Sequence, residues 1–168
     1  MDTTAMTLTY ETSTCGRCGG SGHYSYNMMH GTVCYGCAGR KWVLTRSGAK
    51  AQKAVQAFIA EHFSVKAEAL QVGDRIKYDG YTRTVVAVKV DAQPTGSSTV
   101  DGVTTYYRYV NITFNKPTPS AFGPIDGANI CEGTPVVKAV AGADWERVVA
   151  FARTIKKGIT IAPKAAKK

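Results

Sequence analysis

Four of the five cysteines fall into two C-x-x-C pairs, Cys15 with Cys18 and Cys34 with Cys37. Two intervening residues allow both sulfurs of a pair to reach one metal ion, and the glycines after each pair let the backbone turn beneath the sulfurs. Fifteen residues separate Cys18 from Cys34, a spacing at which two such pairs share one tetrahedral site. The sequence therefore predicts one structural zinc ion (Zn2+) bound by four thiolates.

Other chemistry for these cysteines fits the sequence less well. A thioredoxin-like redox pair needs a C-x-x-C that opens a helix after a strand, whereas glycines surround both pairs here. A catalytic zinc ion needs an open position for water, which four thiolates do not leave. Cys131 stands alone in NICEGT, and we interpret it as a small buried apolar residue. The sequence has no apolar run long enough to span a bilayer, and its first residues lack the basic start and apolar stretch of a signal peptide, so we expect a cytoplasmic protein. In such a reducing compartment, clustered cysteines are typical of metal binding.

Each cysteine pair opens a longer repeat. Residues 15–22 read CGRCGGSG and match C-x-x-C-x-G-x-G throughout, and residues 34–41 read CYGCAGRK, in which Lys41 replaces the last glycine. This repeat resembles the cysteine-rich domain of the DnaJ cochaperones over residues 15–41 only. Those cochaperones carry four such repeats, two zinc ions and a His-Pro-Asp tripeptide, and this chain has two repeats and no such tripeptide. The resemblance implies zinc ligation at the four cysteines. In similar half-size fingers, such as that of the bacterial anti-TRAP regulator, the module looks like a protein-binding surface.

The rest of the chain predicts an α+β fold. A small four-cysteine zinc-finger module is followed by a helix, a small antiparallel sheet or barrel of four or five strands, and a C-terminal helix. The predicted domains are a loose or edge-pairing arm over 1–13, the finger over 14–46, a connecting helix over 47–66, a β-rich domain with the C-terminal helix over 67–157, and a flexible basic tail over 158–168.

Hydrophobic periodicity gives the individual elements. A period near 3.6 with Ser47 as N-cap predicts a helix over 48–63, and a second helix is expected between Asp144 as cap and Gly158 as stop. A period of two around Asp79-Gly80 predicts a type I′ hairpin. One long strand is expected over 104–114, with Tyr106 through Phe114 alternating on one face. Loops are predicted over 92–102 and 115–127, and a further strand over 134–140.

The net charge of +9 is unevenly distributed. Residues 12–60 contain six basic side chains and no acidic one, and residues 153–168 contain another six basic side chains without an acid. Residues 61–152 hold nine basic and ten acidic side chains. A zinc ion on four thiolates carries a charge of about −2, which leaves the first segment positive. Such segregation favours contact with a polyanion, although solvated lysines that only keep the protein soluble are the alternative.

Aromatic and basic side chains together form the predicted binding set. The finger tip HYSYNMMHG has no large core to enter, so its aromatic side chains either contact a partner or pack on Trp42 or the β-rich domain. The candidate residues for binding nucleic acid or another partner are Arg17, Tyr24, Tyr26, Arg40, Lys41, Arg46, Lys50, Lys53, Arg83, Tyr107, Lys156, Lys157, Lys164, Lys167 and Lys168.

These features favour a non-enzymatic zinc-binding protein, namely a nucleic-acid-binding or nucleic-acid-associated regulator. The alternative is a protein-binding adaptor or inhibitor that uses the finger as its contact surface, encoded by a phage and acting on a machine in the host cytoplasm. No Ser/His/Asp set, phosphate loop or paired-carboxylate motif occurs in the sequence. We therefore expect neither an enzyme, nor a small-molecule substrate, nor a membrane partner.

Overall fold

The computed structural model describes residues 6–24, 31–118 and 125–164. Predictions for Tyr26, Lys167 and Lys168 lie outside the described residues. The chain forms two compact units. Unit 1 contains the residues up to Phe58 and those from Gly142 onward, and unit 2 is Ile59–Ala141.

The described residues form twelve strands and two α-helices. In chain order these are β1 (Met6–Tyr10), β2 (Thr12–Thr14), β3 (Trp42–Leu44), α1 (Arg46–Phe63), β4 (Ser64–Lys66), β5 (Arg75–Tyr78), β6 (Tyr81–Val90), β7 (Gly96–Val100), β8 (Val103–Tyr107), β9 (Tyr109–Thr118), β10 (Ile125–Cys131), β11 (Pro135–Val137), α2 (Ala143–Arg153) and β12 (Ile159–Pro163). This is the mixed architecture of helices and small antiparallel sheets that the sequence predicts. Neither helix is long and apolar enough to cross a membrane, which holds for the described part of the chain alone.

Unit 2 is built on a four-stranded antiparallel sheet with the order β10-β9-β6-β5. The predicted turn between β5 and β6 is confirmed, because Asp79 and Gly80 both have positive φ, +47° and +77°, as a type I′ turn requires. One face of the sheet is a buried apolar layer made by Ile76, Val85, Val110, Ile112, Phe114 and Ala128. Across the residues described, the sheet is open, and the barrel alternative is not realised.

Three local predictions in unit 2 are corrected by the structure. The expected single strand over 104–114 is interrupted at Arg108, because β8 pairs with β7 whereas β9 pairs with β6 and β10. The predicted loop over 92–102 contains β7, which joins β8 through a second Asp-Gly turn at residues 101–102. The predicted loop over 115–127 is shortened by β10. Gly127 in β10 allows a close approach, since a Cβ there would lie 2.3 Å from the carbonyl oxygen of Ile112.

Unit 1 joins the two ends of the chain. Strand β12 pairs antiparallel with β1 along its whole length, from Ile159 opposite Tyr10 to Pro163 opposite Met6. Residues 159–163 are therefore an edge-pairing strand and not the flexible tail that the sequence predicts. The pairing also confirms the edge-pairing alternative for residues 6–10 of the arm.

Helix α2 belongs to unit 1 and not to the β-rich unit, where the sequence placed it. The Trp145 indole N–H donates a hydrogen bond to the Met6 carbonyl oxygen at 2.7 Å, and the Phe151 ring stacks on that of Phe58 with centroids 4.3 Å apart. The helix begins at Ala143 after Gly142 and ends at Arg153, so neither predicted boundary residue, Asp144 or Gly158, is its cap.

Helix α1 begins two residues earlier than predicted, with Thr45 in place of Ser47 as its N-cap. The Thr45 side-chain oxygen accepts the Gly48 N–H at 3.0 Å, which satisfies one of the free donors of the first turn. The Glu11 carboxylate fixes this cap because it accepts the hydroxyls of both Thr45 and Ser47. These hydrogen bonds lower the pKa of Glu11, and the N-terminal end of a helix favours a negative charge.

We predict that Gly48→Ala destabilises unit 1 although alanine favours helices. A Cβ at residue 48 would lie 2.1 Å from the Glu11 carbonyl oxygen, so the chain must shift, at a cost of about 1–3 kcal/mol of unfolding free energy. Urea denaturation followed by circular dichroism measures this change. Gly16→Ala is the matched control, because nothing lies within 4 Å of its added Cβ. Equal stability of the two variants would contradict the close approach.

Candidate metal centre

The finger is the segment between two paired strands. Strand β2 ends at Thr14, directly before Cys15, and β3 begins at Trp42, and the two strands pair antiparallel with Thr14 opposite Trp42. This two-stranded ribbon holds the ends of the finger together. At the far end, His23 bridges Val33, and the Tyr24 N–H donates to the Thr32 carbonyl oxygen at 2.8 Å.

The four predicted cysteines form one cluster, in which all four sulfurs lie within 4.8 Å of one another. The Sγ atoms of Cys15 and Cys34 are 3.9 Å apart, and those of Cys18 and Cys37 are 3.8 Å apart. A tetrahedron with metal–sulfur bonds of about 2.3 Å has sulfur–sulfur edges of about 3.8 Å. A disulfide would instead bring two sulfurs to about 2.05 Å. The cluster can therefore hold one metal ion, and its geometry is consistent with structural zinc.

The two repeats hold each other through matched backbone hydrogen bonds. The Cys15 N–H donates to the Lys41 carbonyl oxygen at 3.0 Å, and the Cys34 N–H donates to the Gly22 carbonyl oxygen at 3.0 Å. Each repeat thus supplies the acceptor for the first cysteine of the other. Because this exchange is reciprocal, the two pairs of sulfurs face each other across the site.

A left-handed backbone conformation ends each repeat. Gly22 has φ +84°, and the equivalent residue of the second repeat, Lys41, has φ +74°. Glycine adopts this conformation without strain, whereas a side chain makes it unfavourable by about 1–2 kcal/mol. The position must keep this conformation because its carbonyl oxygen receives the cysteine N–H of the other repeat. Lys41 therefore replaces the glycine of the repeat but keeps the same left-handed backbone conformation.

The surroundings of the sulfurs favour a cation. Burial of the thiol acts to raise the pKa of Cys18, but the backbone N–H groups of Gly22 and Gly20 donate to its sulfur and lower the pKa to about 6. Burial and the neighbouring thiols raise the pKa of Cys37 to about 11. Without a metal, the Cys37 thiol therefore stays protonated at neutral pH, and a dication bound there would favour its thiolate.

Cys131 and His23 do not join this cluster. Cys131 lies in β10 of unit 2 opposite Tyr109, and it is only partly buried. The His23 Nδ1 atom lies 3.3 Å from the Thr32 hydroxyl. Among the residues that the structure describes, the cluster consists of the four cysteines alone.

The predicted binding residues divide between the two units. Most lie in unit 1, and two lie in unit 2. Arg83 lies over the Tyr81 ring and donates to the Pro117 carbonyl oxygen, and the Tyr107 hydroxyl donates to the Ser97 carbonyl oxygen. The described unit 1 members are Arg17, Tyr24, Arg40, Lys41, Arg46, Lys50, Lys53, Lys156, Lys157 and Lys164.

Two arginines of the finger lie over aromatic rings. The Arg17 guanidinium is 4.7 Å from the centroid of Tyr24 and 5.9 Å from that of Tyr35. Arg40 is 5.3 Å from the centroid of Trp42. Sequence reasoning did not select Tyr35 or Trp42 as binding residues, although each lies next to a cysteine pair or a basic pair and is exposed. Trp42 directly follows Arg40 and Lys41, and Tyr35 stands within the second cysteine pair. The closeness of these aromatic residues to basic residues and to the cysteines is the signal that could identify them.

A scan of protein-family models and searches of curated proteins and of solved structures found no match to this chain.

We predict that the purified protein contains one zinc ion per chain and that Cys18→Ser or Cys37→Ser abolishes its binding. Loss of one thiolate should unfold the finger while the sheet of unit 2 stays folded, because that sheet has its own apolar core. Metal analysis and circular dichroism measure the two effects. Cys131→Ser is the control and should keep the full metal content. A content of zero or two zinc ions would show that this interpretation is wrong.

We also predict that Lys41→Gly stabilises the metal-bound finger by about 0.5–1 kcal/mol, since glycine removes the strain at φ +74° but adds freedom to the unfolded chain. Lys41→Val should destabilise it, because a β-branched side chain disfavours this conformation further. The rate of zinc transfer to a chelator measures both changes. Arg40→Gly is the control, because residue 40 has no positive φ for glycine to relieve. This variant should lose zinc faster than the wild-type protein does. A faster transfer from Lys41→Gly would contradict the argument from strain.

Proposed function

We propose that this chain is a non-enzymatic, zinc-stabilised regulator that binds nucleic acid through unit 1. The supporting observation is the distribution of charge between the units. Unit 1 contains thirteen basic and four acidic side chains, whereas unit 2 contains eight of each. The whole net charge of +9 therefore belongs to unit 1. A zinc ion with four thiolates lowers this value by about 2 and leaves unit 1 strongly basic.

The fold of unit 1 brings together segments that are far apart in the sequence. The basic segment 12–60 and the basic end of the chain meet in one unit because β12 pairs with β1. Concentrated positive charge attracts phosphates and releases the counterions that surround a nucleic acid. A chain whose cations served only solubility would have no need to gather them in one of its two units.

Helix α1 offers the most regular set of cations. Arg46, Lys50 and Lys53 are spaced by four and three residues, so they share one helix face, and all three are exposed. The ion pairs of the described residues involve none of the three. The nearby acid Glu11 accepts hydroxyl hydrogen bonds at the helix cap. This face therefore keeps its positive charge for a partner.

Protein binding through the finger is the second candidate. Val33 and Tyr35 are 41% and 56% exposed on the finger surface, and the repeat resembles that of the DnaJ cochaperones. An adaptor or inhibitor would use these side chains as its contact. Such binding would depend weakly on salt, which separates it from phosphate contact.

The test is the salt dependence of binding to labelled oligonucleotides. Replacing Arg46, Lys50 and Lys53 together by glutamine removes three cations from α1 and retains good helix formers. We expect weaker binding and a plot of log affinity against log salt that is flatter by about two units, since each phosphate contact contributes about 0.7–0.9. Fluorescence anisotropy at four salt concentrations measures the slope.

A matched control removes the same charge from unit 2. Lys77, Lys89 and Lys116 are exposed on its strands, and their replacement by glutamine should leave the slope almost unchanged. Equal losses in both variants would indicate attraction to the total charge and not to unit 1. The proposal fails if the wild-type protein binds no oligonucleotide more tightly than a peptide of nine lysines does.

A further inference from the structure

Unit 1 contains an open cleft of about 690 Å³ beside the finger. Its volume lies within the range of about 300–1,000 Å³ that is usual for small-ligand sites. Five elements line it, namely β1, β2, β3, the second cysteine repeat and helix α1. The lining side chains that carry the argument are Leu8, Tyr10, Arg40, Trp42, Leu44 and Gln52.

Trp42 provides an aromatic surface in this cleft. Its side chain is 42% exposed, although an indole ring has much to gain from burial. Strand β3 fixes its backbone opposite Thr14. An exposed indole on a rigid strand offers a planar face on which a second planar group can stack, and stacking needs no particular base.

Arg40 lies over one face of this ring, which leaves the opposite face for a stacked group. Its Nε atom donates to the Cys37 carbonyl oxygen at 3.1 Å, and its guanidinium carbon lies 5.3 Å from the Trp42 centroid. The cysteine cluster thus anchors the arginine through the backbone of one of its own members. The remaining guanidinium N–H groups can reach a phosphate or a base edge without further ordering of the side chain.

The floor of the cleft combines apolar and polar groups. Leu8, Tyr10 and Leu44 are half-buried, and burial raises the pKa of the Tyr10 hydroxyl, so this tyrosine stays neutral. Gln52 extends from α1 into the same cleft, and its amide can both donate to and accept from a base edge. Uncharged walls can contact a planar polar group, and the arginine at one side can bind an anionic group attached to it.

We infer that single-stranded nucleic acid binds in this cleft, with an unpaired base stacked on Trp42 and the adjoining phosphate held by Arg40. This inference rests on the proposed function and adds the substrate class. In a duplex the base faces are covered by their neighbours, so a duplex cannot use the indole face. Cations alone would bind both forms, and the aromatic cleft selects the unstacked one.

The experiment compares three labelled probes on the full-length, zinc-loaded protein: a 20-nucleotide oligo(dT), a 20-nucleotide oligo(rU) and a 20-base-pair duplex. We expect both single strands to bind more tightly than the duplex. Trp42→Leu should weaken single-strand binding by about 5- to 100-fold with an unchanged salt slope, because stacking releases no counterions. Arg40→Gln should instead lower the slope by about one unit. The two single-stranded probes separate DNA from RNA.

Tyr106→Leu is the matched control, since Tyr106 is 70% exposed in unit 2 and its loss should leave every affinity unchanged. Zinc content and urea denaturation verify that the variants fold. Quenching of the wild-type tryptophan fluorescence at saturating oligo(dT) gives a readout that needs no variant. Trp42→Phe keeps an aromatic face and should bind more tightly than Trp42→Leu.

The outcomes separate the inference from the proposed function. If Trp42→Leu binds single strands as well as the wild type does, or if saturating oligo(dT) quenches no fluorescence, the inference is wrong, and unit 1 binds through its cations alone. If the duplex binds more tightly than both single strands, the substrate class is wrong. If the protein binds none of the three probes more tightly than a peptide of nine lysines does, the proposed function itself fails.

Discussion

The four-sulfur cluster is the constraint on which the rest of unit 1 depends. The finger contains seven glycines between Cys15 and Lys41. Among the finger residues that the structure describes, the buried cluster consists of cysteines, with Tyr24 and Val43 packed against them. Too little apolar surface is buried to offset the entropy of ordering such a chain. A metal ion ligated by the four cysteines would supply the missing folding free energy. Strand β2 directly precedes the finger, and β3 and α1 follow it, so the same ligation would order the connection between these elements.

This constraint explains why the cations and the four-cysteine cluster occur in the same unit. A unit with a net charge of +9 repels itself, and repulsion disfavours the compact state. Unit 2 needs no such compensation, because it is neutral and has a continuous apolar layer on its sheet. Unit 1 instead combines a thiolate cluster, a helix cap fixed by Glu11, and backbone contacts such as that of Glu11 with Gly158 at 2.9 Å. In unit 1, where the surface charge is high, these specific local contacts stabilise the fold in place of a large apolar core.

Local patterns in the sequence predicted those features whose cause is local. The spacing of the cysteines gave the cluster, and Asp79-Gly80 gave the hairpin, because each depends on residues close in sequence. The pairing of β1 with β12 joins residues about 150 apart. No local pattern encodes that partner, so the sequence alone predicts a tail where β12 lies. The helix cap shows the same limit. Thr45 and Ser47 are both good N-cap residues. The choice between them depends on Glu11, which lies between β1 and β2 and is distant from both in the sequence.

The position of Lys41 shows how the finger can combine stability with a surface charge. Its carbonyl oxygen must accept the Cys15 N–H, which fixes a left-handed backbone that glycine adopts most easily. The first repeat uses glycine at this position, and the second carries a lysine beside Arg40, immediately before the exposed Trp42. A lysine there makes the finger less stable by about 1 kcal/mol and adds a cation next to the aromatic cleft. A metal ion on the four cysteines would hold both repeats in place, so the second repeat could tolerate this strain, and the cation would lie where the proposed ligand needs it.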